Sequence, residues 1–199
     1  QDGSIHWVYQ QEQKGTGHAV DVAMSEIQDD SIVLVLYGDV PLISVESIQN
    51  LMQTAGEHSV GLMTAALDDG GSYGRIIRDN NSNFRKIVEF KDASPEQCCI
   101  NEINTGFLCA PANKLRHWVK SVQCNNAQGE YYLTDIFAMA VDEGVAVETC
   151  QPADNAEIHG VNNRLDLSEV ERIYQNIQVR TLMRNGLTVI DPNRFDLRG

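Results

Sequence analysis

An α/β fold, with a mostly parallel sheet flanked by helices, is what this sequence predicts. Two observations carry that reading. Strand-like and helix-like segments alternate along the chain, the order that builds βαβ units. One run, Val33-Leu34-Val35-Leu36, has no polar side chain, which reads as a strand buried on both faces, the habit of a parallel sheet. The run stops at Tyr37-Gly38-Asp39 and turns through Pro41. Ligands of open α/β sheets gather outside the carboxyl ends of the strands. Asp39 therefore stands where a carboxylate can hold a divalent cation against phosphates. It stands equally where an acid caps a turn.

The elements follow in order. Trp7-Val8-Tyr9 predicts a short strand. Gly15-Thr16-Gly17-His18 opens a helix reaching about residue 27, with Ala19, Val20, Ala23, Met24 and Ile27 on one face. A strand at 32–37 precedes a helix at 44–55, where Ser44, Glu46 and Ser47 form the N-terminus. Residues 60–67 are a second β-run. Strands at 73–78 and 84–90 are joined by the turn Asp79-Asn80-Asn81-Ser82-Asn83. A strand at 103–110 leads to Pro111, at the first helical position, where a missing N–H is tolerated. A helix at 132–143 ends before Gly144, a strand fills 145–150, and a long helix at 165–185 is closed by Gly186. No internal repeat or low-complexity linker interrupts the series. The chain opens almost on a strand and closes on the turn-rich Asp191-Pro192-Asn193-Arg194-Phe195-Asp196-Leu197-Arg198-Gly199, so it reads as a segment of a larger protein.

Composition narrows the function classes. The 199 residues are 42% hydrophobic, which suits one globular domain or a piece of one. A net charge of −13, with only 15 Lys and Arg spread along the chain, argues against nucleic-acid binding. An acidic protein that handles phosphates needs a metal ion or local cations. Cys98, Cys99, Cys109, Cys124 and Cys150 lack metal-site spacing, and reduced thiols in a cytoplasmic protein are the simplest account. No run approaches the roughly 20 apolar residues of a membrane span, and no signal peptide opens the chain. His6, His18, His58, His117 and His159 show no zinc spacing, and no Ser-His-Asp or Cys-His arrangement is legible.

Five segments could carry chemistry. Gln10 precedes Gly15-Thr16-Gly17-His18-Ala19. The glycines permit close ligand approach, a helix start favours anions, and a side-chain amide can pair with a nucleobase edge. The same residues suit a turn and cap. Tyr73-Gly74-Arg75-Ile76 could offer the Gly74 amide to a sugar or phosphate, or simply ease a strand entry. Glu89 ends the next β-run. Glu102-Ile103-Asn104-Thr105-Gly106 puts Asn104 and Thr105 at a strand mouth, either as hydroxyl readers or as local turn bonders. In Gln128-Gly129-Glu130-Tyr131-Tyr132-Leu133-Thr134-Asp135 the acids Glu130 and Asp135 read as surface charge. Gly160-Val161-Asn162-Asn163-Arg164 offers Asn162 either as a second metal ligand beside Asp39 or as a helix cap.

In this order the segments closely resemble the uridyltransferase domain of the bacterial bifunctional N-acetylglucosamine-1-phosphate uridyltransferase / glucosamine-1-phosphate acetyltransferase family. The resemblance covers essentially all 199 residues. It implies a Rossmann-like (GT-A-like) nucleotidyltransferase fold, incomplete at the N-terminus. The reaction would be UTP plus N-acetylglucosamine 1-phosphate giving UDP-N-acetylglucosamine plus pyrophosphate, feeding peptidoglycan and lipopolysaccharide precursors. Gln10, Gly15 and Thr16 would line the uridine pocket, and Tyr37, Gly38 and Asp39 would surround the nucleotide. Asp39 and Asn162 would bind Mg2+ and act through it. Gly74, Glu89, Asn104 and Thr105 would hold the N-acetylglucosamine moiety. Residues from about 187 to 199 would be the junction to a left-handed β-helix acetyltransferase domain. That domain would build the family's homotrimer, a state not carried over to this segment.

The resemblance fails at the front. The family's domain opens with a strand and a Gly-rich loop ending in Gly-Thr-Arg-Met, with a Lys nearby, and nothing here matches them. A strand missing from a sheet leaves its neighbours with open edges, so the piece alone is expected to be inactive and poorly folded. Two other readings remain: a sugar-1-phosphate nucleotidyltransferase of different base or sugar, and a non-catalytic sugar-nucleotide-binding module.

Overall fold

One strand of 10 residues, β5 (Glu102–Pro111), organises the molecule. A computed structural model describes residues 5–198. The elements before β5 are α1 (Thr16–Ala23), β1 (Ile32–Val35), α2 (Val45–Thr54), β2 (Ser59–Ala66), β3 (Arg75–Arg78), β4 (Phe84–Val88) and the one-turn α3 (Pro95–Cys98). After it come α4 (Ala112–Ser121), α5 (Asp135–Asp142), β6 (Ala146–Cys150) and α6 (Arg164–Arg184). Among the described residues the sheet order is β4-β3-β5-β2-β6, with β1 also paired to β5.

Strand direction refines the expected sheet. β1, β2, β3 and β6 run one way, because β2 and β6 are parallel and β1, β2 and β3 are each antiparallel to β5. β5 and the edge strand β4 run the other way, so most neighbouring pairs are antiparallel. β5 also carries a bulge: Leu62 faces Leu108, but Thr64 faces Asn104. Two steps along β2 thus match four along β5. Bulges bend a strand and re-aim side chains, often beside active sites, and this one falls at Asn104-Thr105-Gly106.

Side chains alternate across the sheet, so Leu62 and Leu108 enter one core and Met63, Phe107 and Cys109 the other. The first core is filled by Leu115 and Trp118 of α4 and Ile136 and Phe137 of α5. Leu51 of α2 closes the second, beside Tyr37, Val40 and Ile43. Ser44 caps α2 by accepting Ser47 N–H at 3.1 Å.

Three expectations are corrected. Trp7-Val8-Tyr9 is not a strand, and Trp7 is 90% exposed. A strand is stabilised by its ladder, and no described strand pairs with this segment. β1 is not buried on both faces: Ile32 is 50% exposed and Val33, Leu34 and Val35 are half-buried. Among the described residues only β5 pairs with β1, leaving its other side on an apolar groove. Pro111 is the cap of α4 rather than its first residue. The polar end is also tethered, since Arg172 of α6 donates to the carbonyls of Asn193 and Phe195 and Gln175 exchanges two hydrogen bonds with Leu197. Gly199, the last residue of the expected junction, lies outside the described residues.

Candidate functional site

Asp39 and Asn162, separated by most of the chain, arrive side by side. The loop after β1 carries Asp39, whose backbone carbonyl accepts Val161 N–H at 2.8 Å. A Cβ on Gly160 would stand 3.7 Å from Asn162 Nδ2 and 4.0 Å from the Asp39 carbonyl oxygen. Both side chains are exposed. The Asn162 N–H donates to Asp166 Oδ2 at 2.9 Å, which fixes the loop to the first turn of α6.

A second group gathers at the β3–β5 junction. Asn104 N–H donates to the Gly74 carbonyl at 2.9 Å. A Cβ on Gly74 would meet Ile87 Cγ2 at 2.9 Å and Glu89 Oε2 at 3.3 Å, so only glycine fits between those side chains. Glu89 Oε1 accepts Thr134 Oγ1–H at 2.8 Å. Burial raises the Glu89 carboxyl above its ordinary range, and repulsion from Asp135 and Asp92 adds to this, against the Thr134 hydrogen bond. Asn104 Oδ1 accepts Gly106 N–H at 2.9 Å, which holds the bulge.

Tyr37 joins the two groups. Its ring packs edge-on to Phe107 at 6.1 Å and covers Gly106, where a Cβ would lie 2.5 Å from Tyr37 Cε2. Burial first, then the Glu89 and Asp39 charges, push its phenol upward. Burial and then Asp39 likewise raise Tyr73, whose hydroxyl donates to the Ile158 carbonyl at 3.1 Å. The Asp39 charge thus reaches both Tyr37 and Tyr73, and the Glu89 charge reaches Tyr37.

The expected uridine residues divide. Thr16, Tyr37 and Gly38 line one cavity of about 450 Å³. Most of its wall is apolar, from Ala19, Val20, Ala23 and residues 33–36, and neither Asp39 nor Glu89 lines it. Thr16 Oγ1 accepts Leu133 N–H at 3.1 Å, and Gly17 N–H donates to the Tyr131 carbonyl at 2.8 Å. Gly15, at φ +108°, abuts the Tyr131 carbonyl too closely for a Cβ. Gln10 folds back onto His18 Nδ1 at 2.9 Å. Thr105 is turned into the sheet, donating to the Met63 carbonyl at 2.8 Å.

Sequence reasoning missed Thr134 and misread Asp135. Asp135 is half-buried and raised by burial and by Asp92, rather than plain surface charge. With Glu89, Asp92 and Tyr132 these residues line a cavity of about 250 Å³. The segment 128–135 was the available signal.

Comparison with known proteins bears on the whole chain. No family model matches it. It is 52% identical over 193 residues, 97% of its length, to the bifunctional protein GlmU of Methylococcus capsulatus. It is 50% identical over 195 residues to the GlmU of Alcanivorax borkumensis. Over that shared portion, the chain is similar to the GlmU proteins at about half identity. It spans 42% and 43% of the length of these two GlmU relatives, so it matches less than half of each. Solved structures agree on the fold. A UDP-glucose pyrophosphorylase complexed with UDP-glucose matches 74% of the chain and 58% of its own, with TM-score 0.59 and 16% identity. A Bacillus anthracis protein described as a glucose-1-phosphate thymidylyltransferase, in complex with a sucrose, matches 92% and 66%, with TM-score 0.55 and 16% identity. The fold is that of the nucleotidyltransferases, mixed α/β with helices on a central sheet, as the GlmU resemblance implied. Among the described residues no helix is long and apolar enough to cross a membrane.

Proposed function

We propose that this chain carries the site at which the native polypeptide transfers uridylyl from UTP to N-acetylglucosamine 1-phosphate, releasing pyrophosphate. The observation behind the proposal is the backbone Val161–Asp39 hydrogen bond, which joins the loop carrying Asp39 to the loop carrying Asn162. Similarity to the GlmU proteins and the fold shared with nucleotidyltransferases support the transferase reading, and the base and the sugar are our assignment.

In the reaction, an oxygen of the sugar phosphate attacks the α-phosphorus of UTP, and the bond to the pyrophosphate oxygen breaks. Such chemistry depends on positioning and charge neutralisation more than on a protein nucleophile. Asp39 and Asn162 suit Mg2+, an ion that takes oxygen ligands, keeps several waters and needs few protein groups. When bound, the ion would neutralise phosphate oxygens. Asn104 and the Gly74 loop orient the sugar, and Glu89 accepts a hydrogen bond from a sugar hydroxyl. Tyr37 excludes water between the two groups.

Pyrophosphate release from UTP and N-acetylglucosamine 1-phosphate, with and without Mg2+, tests the proposal in the native polypeptide. Asp39→Asn is expected to lower turnover by roughly a hundredfold, the scale of one lost electrostatic contact in a transition state, and to raise the Mg2+ requirement. Unchanged Mg2+ dependence would remove Asp39 from the metal site.

A further inference from the structure

Glu157 is a buried carboxylate that the chemistry above does not use. It lies in the 3-10 turn Asn155–Ile158 and is 7% exposed. Its Oε2 accepts Ser44 N–H at 2.9 Å, across 113 residues of chain. Ser44 is the cap of α2, where a negative charge meets the positive end of the helix dipole. Ser44 follows Asp39 by five residues, and Glu157 precedes Asn162 by five (44 − 39 and 162 − 157). The bond therefore ties the roots of the two loops whose tips carry the paired side chains. Two more bonds hold this stretch: just before the turn, Ala153 N–H donates to the buried Ser47 Oγ at 3.0 Å, and within it the Ile158 carbonyl accepts from the Tyr73 hydroxyl.

We propose that Glu157 is a positioning residue, which clamps the Asp39 loop to the Asn162 loop and sets the spacing of their donors before an ion or nucleotide arrives. This rests on the reading of Asp39 and Asn162 as a magnesium pair. A loop fixed in its bound geometry spends less binding energy on ordering. Ordinary helix capping predicts only a loss of stability, whereas a clamp predicts a local effect on both loops and on metal dependence.

The test has two arms, run on wild type, Glu157→Ala and Glu157→Gln. Amide hydrogen exchange is followed at Ser44 and Val161, with Leu62 and Leu108 as core references. The Mg2+ concentration for half-maximal pyrophosphate release is measured in the native polypeptide. In Glu157→Ala, Ser44 and Val161 are expected to exchange about tenfold faster than the core references explain, the scale of one lost hydrogen bond to a charged group. The Mg2+ requirement should rise about as much, roughly tenfold by the same reasoning. Glu157→Gln keeps an acceptor oxygen and should return both readouts close to wild type. Uniform acceleration at all four amides, or unchanged Mg2+ dependence, overturns the clamp. If wild type shows no Mg2+-dependent release, the magnesium reading falls by itself, and unchanged exchange at Val161 would then show separately that Glu157 clamps nothing.

Discussion

Gly106 sits at φ +89°, a region that costs a side-chain-bearing residue about 1–3 kcal/mol, and the Tyr37 ring lies where a Cβ would go. Gly106→Ala is therefore expected to lower stability by about that much and to displace Tyr37, read as a lower Tm and a weaker UDP-N-acetylglucosamine titration. Glu89 tests the electrostatics. Its folded-state pKa is raised, so the folded chain binds that proton more tightly than the unfolded chain. Its contribution to stability is largest below the ordinary carboxylate range and is lost as pH rises through the raised value. Asp135 has the same sign. Glu89→Gln should raise Tm at neutral pH while weakening sugar-nucleotide binding by roughly tenfold or more, as loss of a charged hydrogen bond does. A lower Tm at neutral pH would show that the charge stabilises the fold. The residues of this site divide by how far their partners lie. Asp39 and Asn104 were legible because each borders an apolar run. Thr134 and Glu157 were not, because their partners are 45 and 113 residues away and nothing local marks them.

The β3–β4 hairpin is anchored by one forked pair, since Arg78 Nε and Nη2 reach Glu102 Oε2 and Oε1 at 2.7 Å each and Nη2 also reaches Thr149 of β6. Hydrogen bonding to Arg78 holds the Glu102 carboxyl below its usual range. That stability is present above the unfolded carboxylate pKa and is lost as pH falls through the lowered one, the reverse of Glu89. Arg78→Met should cost about 1–3 kcal/mol at neutral pH, with the difference from wild type shrinking in acid; chemical denaturation across pH checks it. Helix and strand positions were largely legible because burial on one face imposes a period of 3.6 or 2. The reversed direction of β5 was not, since direction follows from how the chain crosses between strands. Trp7-Val8-Tyr9 shows the same limit, as its side chains fit a strand but a strand also needs a neighbour.

At the scale of the whole molecule, an apolar groove lies between α1 and the open side of β1, with a cavity of about 450 Å³ lined by Val20, Met24, Ile27 and residues 33–36. Exposed strand edges and apolar patches invite association. The chain is expected to bind anilinonaphthalene sulfonate with a blue-shifted, enhanced emission, and Val20→Asp should reduce it; no enhancement would mean the groove is closed in solution. The account depends above all on the convergence of Asp39 and Asn162. Mn2+ supplied with UDP-N-acetylglucosamine to the isotope-labelled native polypeptide tests this through paramagnetic broadening of amide signals. Gly38, Asp39 and Val40 should broaden together with Val161, Asn162 and Asn163, and Asp39→Asn should abolish both sets at once. Broadening of one set without the other, or of both undiminished in Asp39→Asn, would contradict the account.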